Sequence, residues 1–367
     1  MALTATPPSP VDIPLAQRLA GPDVIRAVAL IGVVVMNYHG YLILSGDGPG
    51  IGTGWAAELF DPWTGPFSTR FAATFVLVAG VGVTLLTRSS LSDPVRIRGM
   101  RWRLVRRGVL LYSVGLLIDE IWPGTILPFY GAMFVIAAAL FTLRGRWVAL
   151  IGMIAASAGW GIRIWRFEQQ QDGESTLWLT SPGDGSIRHF VFGVFVNGTH
   201  PLLPWLAFLC AGILLGRILN TSWWRIATLG SGFILFAGAN IANAASSTSF
   251  QTVLLSNNPG ERGLVFVASA LGTALVAYAS LDWLAVWFPV ATDPLRRAGQ
   301  LTLTLYLAHI FVFNLTVDWM GWIRPTGVDT ALAFALAFWT VGILAAVAWS
   351  RQFGRGPAER LYRAFGG

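Results

Sequence analysis

The sequence predicts an all-α, polytopic integral membrane bundle of about ten transmembrane helices, and three observations carry that prediction. The first is composition. Of 367 residues, 54% are hydrophobic and 12% charged, with a mean hydropathy of +0.61. A soluble chain would carry about 25% charged residues. The second is pattern. Apolar residues come in continuous runs rather than the alternation a membrane barrel needs, so helices must satisfy the backbone groups in lipid. The third is where the charge goes. Lysine is absent, and all 25 basic residues are arginines gathered in alternate connections.

The runs lie at roughly 23–44, 67–87, 104–122, 128–143, 147–164, 201–219, 224–243, 262–283, 300–319 and 329–350. Each is near the ~20 residues of a spanning helix, the fourth being the shortest. Alternate connections carry Arg18 and Arg26, then the cluster from Arg88 to Arg107, then Arg144, Arg146, Arg217, Arg225, Arg296, Arg297 and the four arginines from Arg351 to Arg363. That places 19 arginines on one side and six on the other, these being Arg70, Arg163, Arg166, Arg188, Arg262 and Arg324. Of the 18 acids, 12 fall on the arginine-poor side. The positive-inside rule then makes both termini cytoplasmic. It also accounts for the net charge of +7 and pI near 10.3. The predicted partner is the lipid bilayer, and nucleic acid is not one. Arginine without lysine reads as GC-rich coding bias, so the expected location is a bacterial inner membrane.

Residues 1–20 are expected to form a flexible cytoplasmic tail without the basic and apolar regions of a signal peptide. Residues 21–350 form the membrane domain, and 351–367 a basic cytoplasmic tail. The external connections 45–66, 165–200 and 244–261 are rich in Gly, Asp, Ser and Trp, as suits substrate-facing loops. The single Cys210 excludes an intrachain disulfide and a cysteine metal site. With four histidines, no HExxH, no P-loop and no Gly-x-Ser-x-Gly, no metal is expected.

Chemistry concentrates on a few spans. In the first, Asp23 and Arg26 share a helix face, and ten apolar residues separate Arg26 from Asn37. The pair serves either as an interfacial salt bridge or as an anion site, since Arg suits phosphate. Asn37 and His39 lie toward the outer face, where polar groups are costly and thus functional candidates. Arg70 enters the second span from outside, with Asp61 or Glu58 as its expected partner. Asp119 and Glu120 are adjacent, so only one can face the interior. His200 and Trp205 open the sixth span beside two prolines. Thr302, Tyr306 and His309, spaced i, i+4 and i+7, form a polar stripe on the ninth, read either as packing glue or as a polar path.

Five stretches, in order, resemble the prokaryotic relatives of heparan-α-glucosaminide N-acetyltransferase within the wider transmembrane acyltransferase superfamily. They are Asp23-x-x-Arg26 with Asn37, Ala73–Gly82 (ATFVLVAGVG), Ile126–Gly131 (ILPFYG), His200–Trp205 (HPLLPW) continuing to Arg217, and Thr304–His309 (TLYLAH). The resemblance implies a helical bundle that takes an acyl group, acetyl first, from cytoplasmic acyl-CoA. The acceptor would be a sugar hydroxyl or amine of an outward-facing glycan or glycolipid. One departure stands out: the eukaryotic enzyme has its catalytic His in the loop after the first span, and residues 45–66 hold none.

On that reading Arg26 and Asp23, with Arg103 and Arg106 of the basic cluster, hold the CoA phosphates. His39 is the expected general base and His309 the second choice. Asn37 and Tyr306 serve the oxyanion. Arg70, Asp61, Glu120, His200 and Trp205 are expected on the acceptor side, and a second copy of the chain is a further candidate partner. Two other readings remain open: a transporter or flippase using the polar stripe, and a non-catalytic partner in envelope assembly.

Overall fold

The computed structural model describes residues 20–44, 52–180, 186–324 and 326–367, so the expected N-terminal tail lies, but for Ala20, outside the described residues. These residues form helices and no strand. In chain order they are α1 (Ala20–Leu44), the short α2 (Trp55–Leu59), α3 (Arg70–Thr87), α4 (Pro94–Asp119), α5 (Leu127–Leu140) and α6 (Gly145–Gln171). Next come the short α7 (Leu177–Thr180) and α8 (Ile187–Phe192), then α9 (Leu202–Ile218), α10 (Trp224–Ala244) and the short α11 (Ser249–Leu255). The chain closes with α12 (Leu264–Trp287), α13 (Pro289–Gln300), α14 (Thr302–Phe313), α15 (Val328–Gln352) and α16 (Pro357–Gly366).

By length and composition, six helices can cross a membrane among the described residues, or up to eight if each of two bent pairs is one span. Of the ten expected spans, α4 and α5 are not among these eight. The expected run 104–122 opens on Arg106 and Arg107, and α4 extends ahead of it through Arg96, Arg98, Arg101 and Arg103, a charged stretch outside the hydrocarbon. With 14 residues, α5 is about 21 Å long against a core of ~30 Å. It is held nevertheless, because α4 and α5 touch backbone to backbone. A Cβ on Gly131 would lie 2.5 Å from the Gly108 carbonyl and 2.6 Å from the Tyr112 nitrogen. Small residues let helices approach this closely where lipid removes the hydrophobic drive to associate.

The expected ninth span breaks at Leu301. There α13 meets α14 at 73°, and α14 continues through a wider turn over Asn314–Trp319. The N-terminus of α14 is capped from the far end of the chain. The Glu359 carboxylate on α16 accepts hydrogen bonds from the backbone nitrogens of Leu303 (2.7 Å) and Thr304 (3.1 Å). An acidic group there satisfies free N–H groups and the helix dipole together.

α1 lies at the centre, in contact with α3, α12, α13, α14 and α15. Polar contacts sort the connections into two ends. At one, Arg217 donates to the Phe141 carbonyl (3.3 Å), Arg225 pairs with Asp282 (2.8 Å) and Arg297 reaches Ser350 (3.0 Å). At the other, Tyr41 donates to the Pro123 carbonyl, Thr199 to the Gly124 carbonyl (3.0 Å) and Arg70 to the Asn257 carbonyl (3.3 Å). The arginine-rich connections gather at the first end, in line with the alternation in the sequence.

Candidate functional site

The site follows α1 from one end to the other. At the arginine-rich end Arg26 pairs with Asp23 (3.0 Å), and the other Asp23 oxygen accepts from the Gln300 amide (3.2 Å). Asp23 is buried while the Arg26 side chain keeps 25% of its surface, so the acid holds a base that still faces outward. α3 leaves room for that guanidinium at Gly82, where a Cβ would lie 2.8 Å from Arg26 Nη2. On α4, Arg106 Nη2 donates to the Gly366 carbonyl of α16 (3.4 Å), and Arg103 and Arg106 both border Gly367. Arg107 lies over the Tyr362 ring at 5.0 Å. The arginines of α4 and the terminal helix thus share one face.

Eleven residues along α1, about 16 Å on, Asn37 meets His309. The Asn37 amide nitrogen is 3.3 Å from His309 Nε2, and His309 Nδ1 contacts the Tyr306 carbonyl. A carbonyl can only accept, so Nδ1 carries the proton and Nε2 offers its lone pair to the amide. This tautomer leaves a base pointing at Asn37. His309 is fully enclosed, with the Trp122 indole edge-on at 5.5 Å and the Tyr306 ring at 4.9 Å. Tyr306 is fixed in turn by Thr125 Oγ1 (2.8 Å) and the Ile126 nitrogen (3.4 Å).

The structure therefore joins Asn37, Tyr306 and His309 in one cluster. Three further members were not among the expected site residues. Tyr38 donates to the His309 carbonyl (3.1 Å) and stacks on Phe334 at 4.5 Å. Trp122 walls the imidazole and stacks on Tyr41 at 3.6 Å. Thr125 holds Tyr306. A fourth, Tyr130 on α5, has a buried hydroxyl with no hydrogen-bond partner and lies within electrostatic reach of both Arg26 and Tyr306. The signal for Tyr130 and Thr125 was their place in or beside the stretch Ile126–Gly131.

His39 is not part of this cluster. Its Nδ1 donates to the Phe60 carbonyl at 2.6 Å, while Nε2 is buried without a hydrogen-bond partner among the described residues. It faces the loop around Asp61. Asp61 does not meet Arg70, contrary to expectation; it accepts from the backbone of Trp63 (2.7 Å) and Thr64 (2.9 Å) and from the Thr64 hydroxyl (2.8 Å). A carboxylate with three donors in its own turn has no need of a distant guanidinium. Burial works to raise the Asp61 carboxyl, but these bonds from Thr64 and Trp63 outweigh it and hold it below the usual range. Glu58 is exposed. Arg70 instead turns to Ser269 Oγ (3.2 Å) and the Asn257 carbonyl, with its guanidinium 5.1 Å from the Phe266 ring.

At the end of the bundle remote from Arg26, His200 packs edge-on against Trp205 at 4.6 Å, beside Thr199. Glu120 is exposed, whereas its neighbour Asp119 accepts from the Gly124 nitrogen (2.8 Å). That bond shapes the turn presenting Thr125 to Tyr306.

Residues 18–233 match the family described as "Heparan-alpha-glucosaminide N-acetyltransferase, catalytic". Residues 214–366 match a second, described as "Protein of unknown function (DUF418)". Over 387 aligned residues the chain is 25% identical to "Uncharacterized protein YeiB" of Escherichia coli (strain K12), covering 93% of this chain and 94% of that one. The site straddles the two matches. Arg26, Asn37 and Tyr130 come from the first segment; Tyr306 and His309 come from the second.

Proposed function

The chain belongs to the heparan-α-glucosaminide N-acetyltransferase family, and from that premise we propose a membrane acyltransferase that moves an acyl group, acetyl first, from cytoplasmic acyl-CoA to a hydroxyl or amine of an extracytoplasmic glycan or glycolipid. The observation that carries this reading is the Asn37–His309 contact: an enclosed imidazole with its lone pair aimed along the same helix that holds Arg26 at its other end.

Each residue then has a task. Arg26, kept in place by Asp23, takes a phosphate of the donor, with Arg103 and Arg106 beside it. The acyl-bearing arm runs past the Tyr130 hydroxyl toward Tyr306. An acceptor hydroxyl or amine replaces the Asn37 amide at His309 Nε2 and gives its proton to the imidazole as its oxygen or nitrogen attacks the thioester carbon. The same replacement frees the Asn37 amide to donate, with Tyr306 or Tyr130, to the tetrahedral oxyanion. Collapse breaks the carbon–sulfur bond, and the imidazolium returns the proton to the departing thiolate. This order makes His309 the base, ahead of His39.

The test is binding of radiolabelled acetyl-CoA to the purified protein, competed by unlabelled CoA and by ATP. Saturable binding that CoA displaces and ATP does not supports the reading. Folded protein that binds neither acetyl-CoA nor a longer acyl-CoA overturns it.

A second reading has an observation in its favour. The two bent pairs, Ile187–Asn197 with Leu202–Ile218 and Pro289–Gln300 with Thr302–Trp319, resemble the interrupted helices of transporters. Flux of an amphipathic solute across proteoliposomes, without acyl transfer, would favour a transporter.

A further inference from the structure

A second charged cluster lies at the end of the bundle remote from Arg26. Arg163 and Arg166 stand on α6, Arg163 being 18 residues, about 27 Å, beyond the helix start at Gly145. Arg262 comes from the turn before α12. Its backbone is in the left-handed region (φ 52°), a conformation uncommon for a non-glycine residue. What holds it is on both sides of the guanidinium: Nη1 donates to the Val196 carbonyl (3.1 Å) and Nη2 to the Thr199 carbonyl (3.5 Å).

The charge is not balanced. Glu261, the residue before Arg262, pairs with Arg163, which stands one helical turn from Arg166 on α6. Among the described residues no carboxylate is within ion-pair distance of Arg166. The Nε groups of both Arg163 and Arg166 are buried with no hydrogen-bond partner. Burial, and then the charge of Arg166, pulls Arg262 down to about 10. Partly buried like charges with unpartnered donors are costly, and a bound anion removes that cost. Guanidinium groups suit phosphate because their donors match two of its oxygens at once.

The cluster also connects to the site. Thr199, whose carbonyl accepts from Arg262, donates through its hydroxyl to the Gly124 carbonyl, and the next residue, Thr125, holds Tyr306. We propose that Arg163, Arg166 and Arg262 form an anion site that holds a phosphate ester beside the acceptor entrance. Calling the bound molecule the acceptor rests on the acyltransferase reading; the anion site itself does not.

The experiment is thermal unfolding of the purified protein in uncharged detergent, titrated with pyrophosphate at constant ionic strength, with acetyl-CoA binding measured on the same samples. Stabilisation by pyrophosphate is expected, with half-saturation weakened about tenfold in Arg166→Gln, the worth of one charge-assisted hydrogen bond. Arg166→Lys, which keeps the charge and loses the fork, should recover part of the affinity. Arg103→Gln with Arg106→Gln, at the donor's phosphate site, should leave intact the part of the pyrophosphate effect that Arg166→Gln weakens. Equal stabilisation of wild type and a folded Arg166→Gln, or loss only in the α4 variants, overturns the site. Loss of acetyl-CoA binding with the pyrophosphate response intact would strike the acyltransferase reading alone. Repeating the titration in discs of phosphatidylcholine and of phosphatidylglycerol separates the two sources of phosphate. Competition by phosphatidylglycerol assigns the site to a lipid headgroup; its absence assigns it to a phosphorylated molecule arriving from water.

Discussion

His39 and His309 are both closed off from solvent, and each donates its Nδ1 proton to a backbone carbonyl, Phe60 for one and Tyr306 for the other. They differ in what meets the second nitrogen. His309 Nε2 faces the amide of Asn37 inside a cluster with Tyr306 and Thr125, whereas His39 Nε2 faces no polar partner and adjoins a loop that Asp61 organises for itself. Both imidazoles have their tautomer fixed in this way, and of the two only His309 has, among the described residues, a polar group at the nitrogen left free to act as a base.

Substitution separates them most sharply. His309→Ala should lower acyl transfer by roughly 10²–10⁴-fold, with His39→Ala costing less than tenfold. The reverse order, in proteins eluting as folded, would return the role to His39. A smaller loss is expected from Asn37→Ala, about 10²-fold, because both the orienting contact and an oxyanion donor disappear. If KM for the acceptor rises while kcat holds, Asn37 binds rather than catalyses.

At the opposite end of α1 the effect should fall on donor affinity. Arg26→Gln is expected to raise KM for acyl-CoA about tenfold with kcat nearly unchanged, as suits a group that binds donor and transition state alike. An unchanged KM would remove Arg26 from the phosphate site. Away from the chemistry, Glu359→Gln should cost about 1 kcal/mol of stability by weakening the cap on α14, read as a lower unfolding temperature with acyl-CoA affinity kept.

The smallest effect concerns Asp61. Its carboxyl sits below the ordinary range in the folded protein, so its stabilisation is present above the unfolded value of about 3.9 and is lost as pH falls through the lower folded value. Asp61→Asn should therefore narrow the gap in unfolding temperature between near-neutral pH and pH about 3. A gap as wide as in wild type would mean that the Trp63–Thr64 turn does not depend on the charge.

Much of this was legible in the chain. Long apolar runs require helices because lipid offers backbone groups no other partner, and that requirement acts locally, residue by residue. The arginine alternation sorted the connections into the two ends that the contacts then showed. Asn37, Tyr306 and His309 were readable as polar residues at membrane depth, a placement that is expensive wherever it occurs. Local patterns overreached in one place: they ran the ninth span straight through Leu301, where the helix turns by 73°.

Partnership is what only the tertiary structure decided. Asn37 and His309 are 272 positions apart, and whether they meet depends on how far each helix is rotated about its own axis. That rotation is set by packing: the approach of α4 to α5 at Gly131, the aromatic stack around Tyr38, the cap that Glu359 places on α14. The same packing sent Arg70 to Ser269 instead of Asp61, and brought Arg163, Arg166 and Arg262 together from segments nearly a hundred residues apart. The sequence determined which residues must lie in the membrane and at which end; the fold decided which of them face one another, because no local pattern records the angle between two helices.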